Sequence, residues 1–385
     1  MTSPSVPARG RPLRVALDAT PLLIDRAGVG EFCWRALQAL APRADLEVGA
    51  FAVSWRRRHG IAPQLPPGVR VLDRPMPARP LHWAWSRLPG PPTELFLGRQ
   101  DVVHGTNFVV PPAWRAAMVV TVHDLTPVHF PQLVEQATLA FPGLIRKALR
   151  RGAWVHTPSN FVAQEVIEVF GAAPERVRAV HHGLTPRAVT DSARAQAARL
   201  LPPWARRYVL AVGTVEPRKD FPTLVEAFSR VGKDRPGLAL VIAGAERWGS
   251  AQLNEAVAAS PIGQRVIRLG RVGDEARDAL LAGAAVLAYP SRYEGFGFPP
   301  LEAMAAGAPV VTTRCGALEE VLGDAALFID PGDSEALASA IEQVLDDDRE
   351  RQRLVRGGHE RAALYTWEAA AAGLATLYRD AAGAR

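Results

Sequence analysis

The sequence predicts an α/β protein of two doubly wound parallel-sheet domains in series, and three observations carry that prediction. Short apolar runs closed by Gly, Asp, Ser or Thr alternate with amphipathic stretches along the whole chain, the rhythm of buried parallel strands feeding helices. At 385 residues the chain exceeds one ordinary core and suits two units of roughly 150 to 200 residues. The rhythm breaks at DSARAQAARLLPPWARR, an Ala/Arg-rich stretch running into Pro202-Pro203.

Residues 1–12 read as a disordered leader, because the basic residues of MTSPSVPARGRPLR have no apolar stretch after them and so make no signal peptide. Residues 13–190 form the first domain, with strands expected at RVALDA (14–19), EVGAFAV (47–53), DVVHGT (101–106), MVVTVHD (118–124), AWVHTPS (153–159) and VRAVHHG (177–183). Residues 191–207 are the expected interdomain linker. The second domain, 208–366, has strands expected at YVLAVGT (208–214), LALVIAGA (238–245), RVIRLG (265–270), AAVLAYPS (284–291), PVVTT (309–313) and AALFI (325–329). Helices close the chain at 333–347, 350–365 and 367–383, the last with Thr366 as N-cap. Binding sites of such sheets lie at the carboxyl ends of the strands, so two facing sheets make a central cleft.

Hydrophobic content of 48% and charged content of 22% suit a globular protein, with no apolar run able to span a bilayer, and the expected location is the cytoplasm. Cys33 and Cys315 are far apart and lack any metal-ligand or redox spacing. Residues 1–190 carry a net charge of +9, and the remainder −3. Arg56-Arg57-Arg58 and the helical-spaced Arg146, Lys147, Arg150 and Arg151 supply much of the excess. That face fits an anionic membrane surface or a lipid-phosphate substrate, and equally a solvated helix. No nucleic-acid recognition module accompanies it, so nucleic acid is not expected as a partner. The one dense acidic run, Asp346-Asp347-Asp348, follows a C-terminal helix rather than a cleft strand, and no catalytic metal is expected.

The chemistry concentrates in YPSRYEGFGFPPLEAMAAGAPVV, Tyr289 to Val311. Pro299 and Pro300 fit a helix start, and free amides there, with Gly295 and Gly297, offer donors to an anion or a hydroxyl-rich ligand. Glu294 precedes the turn and Glu302 falls just inside the helix, placing one carboxylate for sugar hydroxyls and the other for a ribose diol. Helix-dipole complementation by Glu302 and an ordinary surface charge at Glu294 are the bland alternative. In GTVEPRKDF, Gly213 opens a tight turn after a strand, Arg218 and Lys219 are placed to clamp a diphosphate, and Asp220 to cap the next helix. DRAGVGEF puts Gly28 and Gly30 in a loop before a helix from Glu31, where a backbone can approach phosphate. Cys33 holds the place of the third glycine of a dinucleotide fingerprint, which weakens an NAD-dependent oxidoreductase. His123, beside Asp124, sits at a strand end facing the cleft, whereas His104 reads as structural. Trp83 and Trp85 mark an acceptor or membrane-surface loop, or buried packing.

Together these segments, with HDLTPVHFP, SNFV and YTWEAAA, resemble the retaining glycosyltransferases of family 4, of two-Rossmann-domain GT-B architecture, over nearly the whole chain. The spacing of Glu294, seven residues and Glu302 is the most specific part of the likeness. The resemblance implies that Glu294 and the backbone of Gly295, Phe296 and Gly297 bind the donor sugar, that Glu302 holds the ribose, and that Arg218 and Lys219 neutralise the diphosphate in place of a metal. His123 would orient donor and acceptor, Gly28 and Gly30 would lie against the diphosphate, and the helix from Trp367 would cross back onto the first domain. His182 departs from the pattern, since many relatives carry Asn before that Gly. The expected reaction is metal-independent, same-face transfer of a hexose to a glycan or lipid-linked acceptor at the inner membrane face, with no cofactor. GDP-mannose is the preferred donor and a UDP-hexose the alternative; a noncatalytic nucleotide-sugar or lipid-binding subunit is the rival outside catalysis.

Overall fold

The computed structural model describes residues 11–23, 28–88, 90–185, 190–205 and 207–384, so all but the last two residues of the expected leader lie outside it. The first sheet contains β1 (Leu13–Asp18), β2 (Leu46–Phe51), β3 (Arg70–Leu72), β4 (Val102–Gly105), β5 (Ala117–Thr121), β6 (Trp154–Thr157) and β7 (Val177–Ala179), in the order β3-β2-β1-β4-β5-β6-β7. The second contains β8 (Arg207–Val212), β9 (Leu238–Ala243), β10 (Val266–Gly270), β11 (Val286–Tyr289), β12 (Val310–Thr313) and β13 (Ala326–Ile329), ordered β10-β9-β8-β11-β12-β13. All pairings are parallel. Strand order reverses beside β1 in one sheet and β8 in the other, and such switch points open a crevice at the strand ends.

Every expected strand is present; several give up their last residues to the loop that follows, whereas β1, β4, β10 and β12 end on Asp18, Gly105, Gly270 and Thr313 themselves. Strand β3 was not expected: Arg-Val-Leu is three residues long and largely exposed at the sheet edge, so no apolar run announces it.

The helices of the first half are α1 (Val29–Leu40), α2 (Ala78–Arg87), α3 (Glu94–Leu97), α4 (Thr126–His129), α5 (Phe141–Arg150) and α6 (Asn160–Phe170). Those of the second are α7 (Asp191–Leu200), α8 (Phe221–Val231), α9 (Ser250–Ala259), α10 (Asp274–Gly283), α11 (Phe298–Ala305), α12 (Leu318–Leu322), α13 (Ser334–Asp346), α14 (Asp348–Ala362) and α15 (Trp367–Gly383). Helix α7 occupies most of the expected linker. The Thr190 hydroxyl accepts from Ala193 N at 3.1 Å to cap it, Ala197 is buried, and Arg194 donates to the Ala282 carbonyl of α10 at 3.1 Å. Alanine-rich helix propensity and one small buried face outweigh the linker-like composition.

Helix α15 returns to the first domain. Ala370, Leu374, Leu377 and Tyr378 join Val15, Leu17, Phe32 and Leu37 in one core, and Thr366 caps the helix by accepting from Ala369 N at 3.1 Å. Gly183 makes room for it: a Cβ there would lie 2.3 Å from Trp367 N. Among the described residues no helix is long and apolar enough to cross a membrane.

Candidate active site

Strand β8 ends at Val212, and the chain turns through Gly213 into a 3-10 turn at Pro217–Lys219. A Cβ at Gly213 would sit 3.3 Å from Lys219 Cε, so the glycine leaves space for the lysine stem. Strand β11 ends at Tyr289, and its following loop carries Glu294 to the same place. Lys219 Nζ lies 2.6 Å, and Arg218 Nη1 2.8 Å, from one oxygen, Glu294 Oε1, to which Tyr289 OH donates at 2.9 Å. Lys219 also donates to Tyr289 OH. Arg218 donates to Glu216 at 2.6 Å and to the Tyr293 carbonyl at 2.7 Å.

Burial alone would raise Glu294, but Arg218 and Lys219 hold it down at about 2. Burial lowers Lys219, opposed by Glu294 and abetted by Arg218. The two cations are matched by Glu216 and Glu294, and a buried cluster completed in this way is strongly destabilised by removing one member. Asp220 does not cap α8 as expected. Its backbone is left-handed, at φ 50, and its carboxylate takes Arg292 Nε at 3.0 Å instead.

The domain interface runs through this site. Gly295 lies so close to His123 that a Cβ would be 1.9 Å from the His123 carbonyl oxygen, and Ser159 Oγ donates to the Gly295 carbonyl at 2.9 Å. Phe296 packs against His182, with ring centroids 5.1 Å apart. Gly297, at φ 99, is the N-cap of α11, and Pro299 and Pro300 occupy its first turns. Glu302 sits deeper along α11, with Oε2 3.6 Å from Arg277 Nε on α10. Burial, offset by Arg277 and reinforced by Asp278, Asp274 and Glu31, pushes Glu302 up to about 7. Arg277 Nε is itself buried with no hydrogen-bond partner among the described residues.

Glu31 belongs to α1, which therefore starts near α11. Gly28, at φ 55, begins α1 with open space where a Cβ would be. The helix starts at Val29, earlier than expected, so Gly30 is a buried residue of its first turn rather than part of a loop.

His123 donates through Nε2 to the Thr106 carbonyl at 2.9 Å, because a carbonyl only accepts; its Nδ1 is then an acceptor. Burial lowers its pKa and keeps the ring neutral. His104 is structural, between Tyr378 OH and Thr121 Oγ1, each at 2.7 Å. His182 fills the domain junction, stacked on Phe298 at 5.3 Å and tilted against Phe32 at 4.4 Å. Nearby, Glu320 of α12 accepts from Asn160 N and Phe161 N at the start of α6, at 2.9 and 2.8 Å, and lies 2.7 Å from His181 Nε2. One domain thus caps a helix of the other.

Sequence reasoning missed Glu216, Tyr289 and Arg277. The first two stand inside the quoted motifs and were signalled by adjacency alone. Arg277, in DEARDALLAG, reads as a solvated helix face. Of the two tryptophans, Trp83 is 56% exposed and Trp85 is buried, donating to the Pro91 carbonyl at 2.9 Å. Among the described residues no group of three or more His, Cys, Asp or Glu is placed to hold a metal ion.

Residues 26–187 match the family described as Glycosyltransferase Family 4, and residues 194–361 match Glycosyl transferases group 1. The chain is 31% identical over 276 residues to the O-antigen chain mannosyltransferase B of Escherichia coli, covering 69% of this chain and 71% of that protein. The chain belongs to glycosyltransferase family 4. This family 4 glycosyltransferase is also 28% identical over 306 residues to the MMP alpha-(1->4)-mannosyltransferase of Mycolicibacterium hassiacum, covering 74% and 71% of the two chains. It is 28% identical over 410 residues to the D-inositol 3-phosphate glycosyltransferase of Acidothermus cellulolyticus, covering 96% and 90%. Its fold matches the sucrose-phosphate synthase of Thermosynechococcus elongatus with a TM-score of 0.74 at 22% identity, covering 97% and 100% of the chains. A lipopolysaccharide-biosynthesis glycosyltransferase, WaaG, matches with a TM-score of 0.69 at 18% identity, covering 94% and 98%. The two parallel-sheet domains are those of the GT-B fold. The protein is a hexosyltransferase of the retaining, nucleotide-sugar-dependent kind.

Proposed function

We propose that this glycosyltransferase moves a hexose, mannose in preference, from GDP-mannose to a glycan or lipid-linked acceptor, with a UDP-hexose as the alternative donor. The observation that carries the donor site is the buried cluster of Arg218, Lys219, Glu294 and Tyr289 at the ends of β8 and β11. The diphosphate lies against Arg218, Lys219 and the turn at Gly213, with the Gly28–Gly30 start of α1 closing over it. Glu294 and the backbone of Gly295, Phe296 and Gly297 take the sugar hydroxyls, and Glu302 with Arg277 takes the ribose. As the glycosidic bond stretches, negative charge grows on the leaving diphosphate, and fixed cations in a dry site stabilise that state more than the ground state. A donor phosphate oxygen takes the acceptor's proton on the same face. His123, neutral and with Nδ1 accepting, orients a hydroxyl of the reacting sugar.

The setting at the inner membrane face is supported by the first domain. Arg87 lies over the exposed Trp83 ring, 5.1 Å from its centroid, and Arg151 donates to the Trp85 and Leu88 carbonyls, tying the end of α2 to the basic end of α5. Tryptophan beside arginine suits a headgroup region.

Melting temperature measured with GDP, UDP, ADP and NAD in turn tests the donor, because a ligand of the folded state raises it. A selective rise with GDP is expected. A rise with UDP alone moves the donor to a UDP-hexose, and a rise with NAD alone refutes the donor site. Transfer should persist in EDTA; loss restored by magnesium would refute charge neutralisation by Arg218 and Lys219 alone.

A further inference from the structure

Beside the ion cluster, lined by residues of both domains, is a cavity of about 180 Å³. Its first-domain wall carries an aromatic pair: Phe108 and Phe141 stack with centroids 4.5 Å apart and planes 14° from parallel. Phe108 is held at φ 57, a left-handed conformation that an aromatic residue rarely adopts, by its amide donating to the Thr121 carbonyl at 2.9 Å. From the second domain Trp248, 41% exposed, supplies the opposing aromatic edge. Asp124, Glu135 and Glu216 also line the space. Arg218 is the one cationic residue among the described lining; it pairs Glu216 and Glu294, donates to the Tyr293 carbonyl and, in the proposed donor site, faces the donor diphosphate, which leaves no cation for a second phosphate. Thr126 is 3% exposed, and its Oγ1 has no hydrogen-bond partner among the described residues, a buried hydroxyl awaiting one.

We propose that this cavity seats the acceptor as an uncharged pyranose, the terminal sugar of a glycan, and that its carboxylates select against phosphate-bearing acceptors. Aromatic faces take the apolar C–H faces of a sugar ring, and carboxylates with one spare hydroxyl take its O–H groups. An acceptor phosphate would meet Asp124 and Glu135 without an uncommitted cation to offset them, a repulsive element of the kind that sets specificity. The contrast is with a relative such as the D-inositol 3-phosphate glycosyltransferase, whose name gives it a phosphorylated substrate. The inference rests on the diphosphate lying at Arg218 and Lys219, which places the reacting sugar beside this cavity.

The test offers the full-length protein GDP-mannose or UDP-glucose with methyl α-mannoside or methyl α-glucoside, and with the matching sugar 6-phosphates, and follows donor hydrolysis in parallel. Neutral glycosides should be used with kcat/KM at least about 10-fold above the 6-phosphates. Glu135→Lys, an exposed position that leaves the core untouched, should narrow that ratio by improving the phosphate. Thr126→Val should raise acceptor KM about 3- to 10-fold, and donor KM less. Equal use of the 6-phosphates, an unchanged ratio in Glu135→Lys, or continued donor hydrolysis with neither sugar accepted would each overturn the proposal. If neither donor is cleaved, the donor reading fails by itself. Calorimetric titration with the same glycosides and phosphates then decides the cavity: binding of the neutral sugar alone supports it, and preference for the phosphate overturns it.

Discussion

The two walls of the cleft are built on opposite principles. On the second-domain wall the charged groups at the strand ends are paired with one another: Arg218, Lys219, Glu216, Glu294 and Tyr289 form a buried network from two loops at neighbouring strand ends. The first-domain wall sets aromatic rings and buried histidines beside the carboxylates of Asp124 and Glu135 and contributes no cation among the described lining; burial lowers the pKa of His104, His123, His156 and His182 alike. One wall works by paired fixed charge, the other by shape and by carboxylates that no cation of its own offsets. Substitutions on the paired wall should therefore act on the chemical step, and those on the first-domain wall on acceptor choice and on the stability of the junction.

The largest effect is expected from Lys219→Ala. The variant loses one of the two cations proposed to face the leaving diphosphate, and kcat should fall about 10²- to 10³-fold or more, the scale of removing one preorganised stabilising donor. Removing one member of the buried cluster should lower the denaturation midpoint, but Arg218 still pairs Glu294 at 2.8 Å, so the variant should remain folded at 25 °C with an unchanged circular dichroism spectrum. Steady-state transfer from the donor that raises the melting temperature is the measurement. Wild-type turnover in a folded variant would erase the contrast between the walls.

A pH titration of donor binding sharpens it. Glu302 sits at about 7 in the donor-free protein, raised from 4.5 chiefly by burial, so below that value it is mostly protonated. A ribose diol donates hydrogen bonds and prefers the carboxylate, so binding releases this proton. Nucleotide Kd should rise as pH falls below about 7, approaching 10-fold per pH unit, and level off above it. Glu302→Gln should bind more weakly at pH 8 and lose the slope. Calorimetry at several pH values reads both, and an identical slope in the variant would remove Glu302 from the ribose.

How much of this was legible in the sequence follows the same division. Glu294 and Glu302, and separately Arg218 and Lys219, stand in or beside Gly- and Pro-rich loops after strong apolar strands, so local pattern singled out each pair, and the family resemblance joined the two pairs in one site. The proposed acceptor cavity is assembled from distant pieces: Phe108 acquires its role from a backbone angle, Thr126 from burial, and Trp248 from the other domain. None of these leaves a periodic trace. Helix α7 was read as linker because arginine and Pro202-Pro203 mask one buried alanine face, and the cap expected of Asp220 failed because Arg292, 72 residues away, claimed its carboxylate. Sequence pattern reports what neighbours in the chain do, and long-range partners overrule it.

The smallest effect tests the junction itself. His182 is 3% exposed among Phe32, Phe296, Phe298 and Trp367, and burial, reinforced by His156, His123 and His181, places its pKa well below 6.5. Below about pH 6.5 an unfolded chain takes up this proton and the native protein does not, so the histidine's contribution to stability falls as pH falls. Asp18, raised to about 6, and Glu302, raised to about 7, act in the opposite sense, since the native state keeps protons there that unfolded carboxylates have lost. The whole-protein slope is therefore mixed, and the difference between wild type and His182→Asn isolates one site. That variant should be less stable at pH 7.5, having lost the stack on Phe298, yet the gap should narrow by up to about 1.4 kcal/mol per pH unit between pH 6.5 and 5.5. Denaturant midpoints across that range measure it. A gap constant with pH would mean that His182 carries a proton in the native state, and the junction would then be a charged surface like the wall it faces.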